Sequence, residues 1–130
     1  MTAFNRSWMT GLLVGGVLAM GLGGHANAQG SGSATLDAVK ARGQVLCGTA
    51  GDVPGFSLPD SQGVMHGLDA DSCRAVTAAA LGDIGKTKFV ATTTQNRFTA
   101  LQSGEVDMLA RSTTWTLGRE GNLGLLFAWV

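Results

Sequence analysis

The chain has 130 residues, of which nine are Lys or Arg, nine are Asp or Glu and 45% are hydrophobic. Its formal charge of zero excludes a nucleic-acid binder of the basic kind, because affinity for a phosphate backbone depends on clustered Lys and Arg. The high apolar content also excludes a disordered chain, and the length allows one domain at most.

Residues 1–28 have the three parts of a secretory signal peptide. Arg6 precedes an apolar run of about 14 residues, and an Ala-x-Ala cleavage site ends at Ala28. The apolar run is shorter than the roughly 20 residues of a membrane-spanning helix, although an uncleaved anchor is the alternative. We expect Gln29 to become the N-terminus of a periplasmic protein and residues 29–34 to form a flexible leader.

The first part of the mature chain predicts a helix, a strand and an irregular segment. Thr35 is the expected N-cap of a short helix that ends at Gly43, since an acid lies near its start and bases near its end. The apolar run Gln44–Gly48 predicts a buried strand. Glycines and prolines interrupt Thr49–His66, which is therefore expected to be irregular.

The rest of the chain continues the alternation of helices and strands. Asp69 and Asp71 precede an apolar helical face, where their carboxylates would satisfy the N–H groups of the helix N-terminus. Strands that alternate with helices imply parallel pairing, so the fold class is α/β. The expected elements are helices at Ser72–Leu81 and Asn96–Ser103, with Gly104 after the second, and strands at Lys86–Thr93 and Val106–Ala110.

The last eight residues, Leu123–Val130, form an apolar run typical of a strand. An exposed terminal strand of this composition would associate with other chains. We therefore expect that another segment follows and covers it, or that the chain aggregates or dimerises through it.

Both cysteines follow the predicted cleavage site and so belong to an oxidising compartment. Cys47 ends the first strand and Cys73 opens the second helix, which can bring their Cα atoms within disulfide range. A Cys47–Cys73 disulfide is therefore predicted, worth roughly 3–4 kcal/mol in the chain-entropy model. A redox-active pair would need Cys-x-x-Cys spacing, which two cysteines 26 positions apart lack. Two buried free thiols are the remaining alternative.

Three segments in this order and spacing carry a family resemblance. They are Gly-Leu-Asp-Ala-Asp at 67–71, Leu-Gln-Ser-Gly-Glu-Val-Asp at 101–107 and Arg-Ser-Thr-Thr-Trp-Thr-Leu-Gly-Arg at 111–119. Through them the chain resembles the periplasmic amino-acid-binding proteins of ABC transporters, most closely the general L-amino-acid-binding type. The similarity runs from about Thr35 to Ala128.

Members of that family have two α/β lobes that close on an amino acid and deliver it to a membrane permease. The resemblance implies that residues 35–130 are the N-terminal part of lobe one, in a periplasmic-binding-protein-like fold with a parallel sheet. It implies an L-amino acid ligand, an ABC-transporter permease as partner, no cofactor, and a monomer when full length. The chain is then about the first third of a family member.

Four residues are candidates for ligand binding through the same resemblance. Arg119 would grip both carboxylate oxygens of the ligand, while Ser112 and Thr114 would add hydrogen bonds. Phe56 would pack on the ligand's aliphatic part. The alternatives are an exposed arginine in a first helical turn, helix capping by Ser112 and Thr114, and a loop anchor at Phe56.

Two other functions stay open beside the binding protein. One is a truncated, non-binding fragment, and the other is a secreted enzyme on the same fold, such as a cyclohexadienyl-dehydratase-like protein. Catalysis needs a positioned acid or base, but Glu105 and Asp107 are interpreted as solvent-facing and Glu120 as a partner of Arg119. His66 is interpreted as a surface loop residue with no second ligand spaced for zinc. We therefore expect no catalytic residue and no metal site.

Overall fold

The computed structural model describes residues 32–128. The expected signal peptide at 1–28, its cleavage site at Ala28 and residues 29–31 of the expected leader lie outside the described residues. Ser33 and Ala34, also expected in the leader, instead cap and begin the first helix. Within residues 32–128, no helix combines the length and apolar composition needed to cross a membrane.

Helices and strands alternate along most of the described chain. A short 3₁₀ turn at Ile84–Lys86 leads into the fourth strand. In chain order the elements are α1 (Ala34–Arg42), β1 (Val45–Thr49), β2 (Leu58–Pro59), β3 (Met65–His66), α2 (Leu68–Leu81), β4 (Thr87–Ala91), α3 (Arg97–Gln102), β5 (Met108–Leu109) and α4 (Leu117–Leu123).

The main sheet has three parallel strands in the order β4-β1-β5. β1 pairs with β4 from Val45 opposite Thr87 to Thr49 opposite Ala91, and with β5 at Cys47 opposite Met108. Helix α2 packs on β1 and β4, and α3 packs on β1 and β5. The predicted α/β class with a parallel sheet is confirmed.

Helix α1 begins earlier than predicted. The Ser33 hydroxyl accepts a hydrogen bond from the Leu36 N–H at 3.4 Å, so Ser33 is the N-cap and Thr35 lies inside the first turn. The helix ends as expected at Gly43, whose φ of 74° is a left-handed conformation that glycine adopts without strain.

Helix α2 also begins earlier than predicted, at Leu68, and the role assigned to its two acids is wrong. The N–H groups of Leu68, Asp69 and Ala70 donate instead to the backbone carbonyls of Gly55 and Phe56, at 3.0 to 3.3 Å. Because the loop already satisfies these donors, the carboxylates are not needed as caps. The Asp71 carboxylate pairs with Arg74 at 2.9 Å.

The stretch expected to be irregular contains a small hairpin formed by β2 and β3, in which Leu58 pairs with His66. Asp60 organises its turn by accepting hydrogen bonds from the Gln62 and Val64 N–H groups. His66 is exposed, as expected, but it lies on β3 and its ring pairs with Asp60 at 2.9 Å.

Two expectations for side chains and segments near the end of the chain are wrong. Asp107 is not solvent-facing: it pairs with Arg42 and accepts a hydrogen bond from the Leu46 N–H at 2.7 Å, and 10% of its side chain is exposed. Leu123 ends a helix rather than opening a strand, because Thr116 caps α4 and Gly124 closes it with φ of 63°. Residues 124–128 form no strand.

The predicted disulfide is present and lies at the centre of the core. Cys47 and Cys73 are fully buried, and their Cα atoms are 6.0 Å apart. The bond joins the middle of β1 to α2. The other buried hydrophobic residues are Val39, Val45, Ala70, Ala100, Val106 and Leu125.

Candidate functional site

Parallel pairing brings the ends of β1, β4 and β5 together, and α2 and α3 begin on the same side. We call this region the carboxyl end of the sheet: the last residues of these strands, the segments 92–97 and 110–119 that follow β4 and β5, and the first turn of α2. In open α/β sheets, ligands bind at this end.

Buried polar atoms without a hydrogen-bond partner collect at the carboxyl end of the sheet. Within residues 32–128 they are Oγ1 of Thr49, Oδ2 of Asp69, Nε of Arg97, Nε of Arg111 and Oγ1 of Thr113. Buried polar groups are normally paired, so five unpaired atoms in one region need an explanation. Their shared position, at the end of the sheet where ligands bind in open α/β folds, makes this region the candidate binding site.

Arg119 lies at this end, half-buried in the first turn of α4. Its backbone N–H donates to the side chain of Thr116, and its guanidinium donates to the carbonyl of Thr114. The guanidinium carbon lies 5.2 Å from the centroid of the Phe98 ring. A cation over an aromatic face is attracted to it, so the Phe98 ring favours this position of the Arg119 guanidinium. Arg119 thus lies in a first helical turn, as the alternative interpretation expects, and its side chain is half-buried.

Ser112 and Thr114 lie in the segment before α4, ahead of Arg119 in the chain. Both are exposed, and their carbonyls accept hydrogen bonds from Arg97 (3.3 Å) and Arg119 respectively. Thr116 caps the helix, so the capping alternative for Ser112 and Thr114 is wrong.

Phe56 lies in the loop that follows β1, with 40% of the residue exposed. Its N–H donates to the Val53 carbonyl, and its own carbonyl accepts from the first turn of α2. Gly67 makes this close approach possible, since a Cβ there would lie 2.4 Å from the Phe56 oxygen. The loop is thus fixed through its backbone, while the phenyl ring stays half-exposed.

Sequence reasoning missed two further arginines in this region. Arg97, the first residue of α3, is 7% exposed and its guanidinium carbon lies 4.8 Å from the centroid of the Phe98 ring. Burial lowers the pKa of Arg97, and the positive charges of Arg111 and Arg119 lower it further. Arg97 therefore lies within electrostatic reach of both other guanidinium groups.

Arg111 follows β5 and reaches across to the end of β4. Its guanidinium donates to the Thr92 carbonyl and, at 3.2 Å, to the Thr92 hydroxyl. The Asp69 carboxyl faces it from the first turn of α2: burial raises the pKa of Asp69, and the charge of Arg111 partly opposes that shift. The position of Arg111, directly before Ser112, was the one signal in the sequence that could have identified it.

The remaining polar residues near α4 serve packing. Glu120 accepts a hydrogen bond from the Trp115 indole at 2.9 Å, so its expected pairing with Arg119 is wrong. The Trp115 ring stacks on Phe127 with centroids 6.1 Å apart. In the described part of the chain, no group of three or more His, Cys, Asp or Glu side chains could hold a metal ion.

The family model of the bacterial extracellular solute-binding proteins, family 3, matches residues 45–125. The chain belongs to this family. The match includes the whole sheet and the residues of its carboxyl end, so the resemblance seen in the sequence motifs is confirmed. The family is extracellular or periplasmic.

Two relatives of known name support a finer comparison. The glutamate/glutamine/aspartate/asparagine-binding protein BztA of Rhodobacter capsulatus is 53% identical over 95 residues, which are 73% of this chain and 28% of the relative. The general L-amino acid-binding periplasmic protein AapJ of Rhizobium johnstonii is 47% identical over 100 residues, 77% of this chain and 29% of the relative. The chain thus spans less than a third of their length.

Solved structures share the fold. A periplasmic binding protein from Brucella ovis with glutathione bound has a TM-score of 0.68 and 49% identity, over 71% of this chain and 29% of that one. The arginine-bound domain 1 of TmArgBP has a TM-score of 0.57 and 28% identity, over 65% of each chain. An ancestral cyclohexadienyl dehydratase has a TM-score of 0.57 and 32% identity, over 66% of this chain and 34% of that one.

Proposed function

We propose that this chain supplies the carboxylate-binding part of a periplasmic amino-acid receptor of an ABC transporter. Residues 35–130 form the N-terminal part of lobe one, and residues 1–28 direct export and are cleaved before Gln29. The ligand is an L-amino acid, and the partner is the membrane permease of the transporter. The names of BztA and AapJ, both amino-acid-binding proteins, support the ligand class.

The observation that carries the proposal is the half-buried guanidinium of Arg119 in a region of unpaired buried polar atoms. A guanidinium matches a carboxylate with two parallel hydrogen bonds. Phe98 and the Thr114 carbonyl hold Arg119 in place before a ligand arrives, which reduces the entropy lost on binding. In this proposal Ser112 and Thr114 donate to the same carboxylate, and Phe56 covers the aliphatic part of the ligand.

Binding is favoured over catalysis by the kind of charged group at the carboxyl end of the sheet. Three of the five charged side chains described there are the guanidinium groups of Arg97, Arg111 and Arg119, and the other two are the carboxyl groups of Asp69 and of Asp71, which pairs with Arg74. Guanidinium groups do not exchange protons at neutral pH, so they serve as anion ligands rather than as acids or bases. We therefore propose a receptor and not an enzyme.

The experiment that tests the proposal is an NMR titration of the chain with L-alanine and with L-alaninamide. The two ligands differ only in the carboxylate. One lobe alone leaves one side of a bound ligand in water, so we expect weak binding of L-alanine, with a Kd on the order of millimolar, or about −4 kcal/mol. The arginine-bound domain 1 of TmArgBP is a precedent for a ligand on a single lobe.

The expected result is a set of saturable shifts at residues 112–119 with L-alanine and none with the amide. Arg119→Gln removes the response, and Lys86→Gln, at an exposed site in the turn before β4, leaves it unchanged. Equal responses to both ligands, or an unchanged response in Arg119→Gln, would show that the carboxylate is not held by Arg119.

A further inference from the structure

The described chain contains five arginines, and they fall into two groups. Arg42 and Arg74 each form an ion pair, with Asp107 and Asp71. Among residues 32–128, Arg97, Arg111 and Arg119 form none, although all three belong to the carboxyl end of the sheet and Arg97 lies within electrostatic reach of both others. The Asp69 carboxyl interacts electrostatically with Arg111.

One amino-acid carboxylate cannot satisfy this concentration of positive charge. If Arg119 binds the α-carboxylate, Arg111 and Arg97 still have buried Nε–H donors without partners. Unpaired buried donors and like charges at close range are both unfavourable, and a second anion relieves both. An amino acid with a neutral side chain adds no net charge to the region, whereas an acidic one adds a negative charge.

Hydrogen bonds hold the Arg111 guanidinium at the carboxyl end of the sheet, where it could contact such a second anion. It donates to the carbonyl and hydroxyl of Thr92, and Thr92 in turn donates to the Thr49 carbonyl through both its N–H (2.8 Å) and its hydroxyl (3.1 Å). Thr49 and Thr92 are buried at the ends of β1 and β4. Arg111 therefore extends from the end of β5 to the end of β4 and is linked through Thr92 to the end of β1.

We propose that Arg111, together with Arg97, which donates to the carbonyl of the adjacent Ser112, forms a second anion subsite that takes the side-chain carboxylate of an acidic L-amino acid. This inference rests on the proposed function, because it assumes that Arg119 takes the α-carboxylate. It makes Arg111 a specificity-determining residue. The preferred ligands are amino acids with a carboxylate side chain, and their amides bind more weakly.

The test compares L-glutamate with L-glutamine, which have nearly the same shape and differ in side-chain charge. The chain is titrated with each ligand by NMR at matched ionic strength. We expect L-glutamate to bind about tenfold more tightly, in line with a hydrogen-bonded charge pair. Arg111→Gln should reduce the affinity for L-glutamate to that for L-glutamine and change the affinity for L-glutamine less than about twofold.

A second variant separates charge from folding. Arg111→Lys keeps the positive charge, and we expect it to retain a preference for L-glutamate that Arg111→Gln lacks. Equal affinities of the unaltered chain for the two ligands, or a glutamate preference that survives Arg111→Gln, would overturn the subsite while leaving Arg119 as the carboxylate clamp. Failure of both ligands to bind would overturn the proposed function and the subsite together.

Discussion

The carboxyl end of the sheet and the rest of the domain, which we call the body, differ in whether their polar side chains have partners. In the body, Asp107 pairs with Arg42 and with the Leu46 N–H, and Arg74 pairs with Asp71 and lies 5.3 Å from the centroid of the Phe89 ring. At the carboxyl end, all five of the buried polar side-chain atoms that lack a partner within residues 32–128 lie together.

Under the proposed function, this difference separates groups that stabilise the fold from groups that a ligand would pair with. A buried polar atom without a partner costs about 1–3 kcal/mol, so a chain optimised for stability alone would not collect five of them. Unfavourable local features, such as buried polar atoms without a partner, concentrate at functional sites. Substitutions in the body should therefore destabilise the protein, while substitutions at the carboxyl end should affect stability little or favourably.

Removal of the disulfide is expected to have the largest effect. The bond joins β1 to α2 across a separation of 26 residues in the body of the domain. We expect reduction to lower the free energy of unfolding by roughly 3–4 kcal/mol, because the unfolded chain gains the entropy of an open loop. Urea unfolding with and without reductant measures the change.

The double variant Cys47→Ala, Cys73→Ala is the matched control, since reductant should leave its unfolding curve unchanged. Its stability should equal that of the reduced protein or fall slightly below it, because two buried side chains are shortened. A reductant effect below about 1 kcal/mol would mean that the packing of β1 and α2, and not the cross-link, stabilises the body.

Asp107→Ala should have the next largest effect. The substitution leaves Arg42 without its partner and removes the acceptor of the Leu46 N–H, so we expect a loss of about 2 kcal/mol in urea unfolding. The control is Asp71→Ala, which breaks the other aspartate–arginine pair. Since 73% of the Asp71 side chain is exposed, its loss should cost about 0.5 kcal/mol. Equal losses would contradict the structural role of Asp107.

Local sequence signals predicted the body well, because each of its elements is specified by neighbouring residues. Parallel pairing followed from the alternation of helices and strands, and the disulfide followed from the elements that carry Cys47 and Cys73. The hairpin of β2 and β3 could not be predicted, since strands of two residues have no period to detect. The buried position of Asp107 could not be predicted either, because its partner Arg42 is 65 residues away.

The carboxyl end was predictable only in part, for a similar reason. The motif at 111–119 identified Arg119, but Arg97 and Arg111 join it only after α3 and β5 are placed side by side. The first turn of α2 shows the same limit. Carboxylates at Asp69 and Asp71 suit a helix N-terminus, but whether a distant loop already fills that role depends on the tertiary structure.

The smallest expected changes in stability come from two aspartates, Asp60 in the body and Asp69 at the carboxyl end of the sheet. They test the difference between the two regions most directly, because their pKa values shift in opposite directions. The pKa of Asp60 is lowered, first by its hydrogen bond with His66 and then by the N–H groups of Val64 and Gln62. The pKa of Asp69 is raised by burial, against the opposing charge of Arg111. One carboxylate is satisfied by the fold, and the other is not.

Linkage gives the two residues opposite effects on stability as the pH changes. A lowered pKa means that Asp60 contributes stability above the unfolded value of about 3.9, and that this contribution is lost as the pH falls through the folded value. A raised pKa means that ionisation of Asp69 opposes folding. The free energy of unfolding therefore falls as the pH rises from the unfolded value through the folded value.

The variants Asp60→Asn and Asp69→Asn should consequently change the unfolding free energy in opposite directions at pH 7 and converge toward the unaltered protein near pH 3. Asp60→Asn should be less stable at pH 7, because the amide accepts its hydrogen bonds more weakly than the carboxylate. Asp69→Asn should be more stable at pH 7, since no charge is buried without a hydrogen-bond partner. Thermal unfolding at pH 3, 5 and 7 measures both differences. A loss of stability at pH 7 in Asp69→Asn would show that its carboxylate serves the fold through Arg111, and the distinction between the two regions would then not hold at this residue.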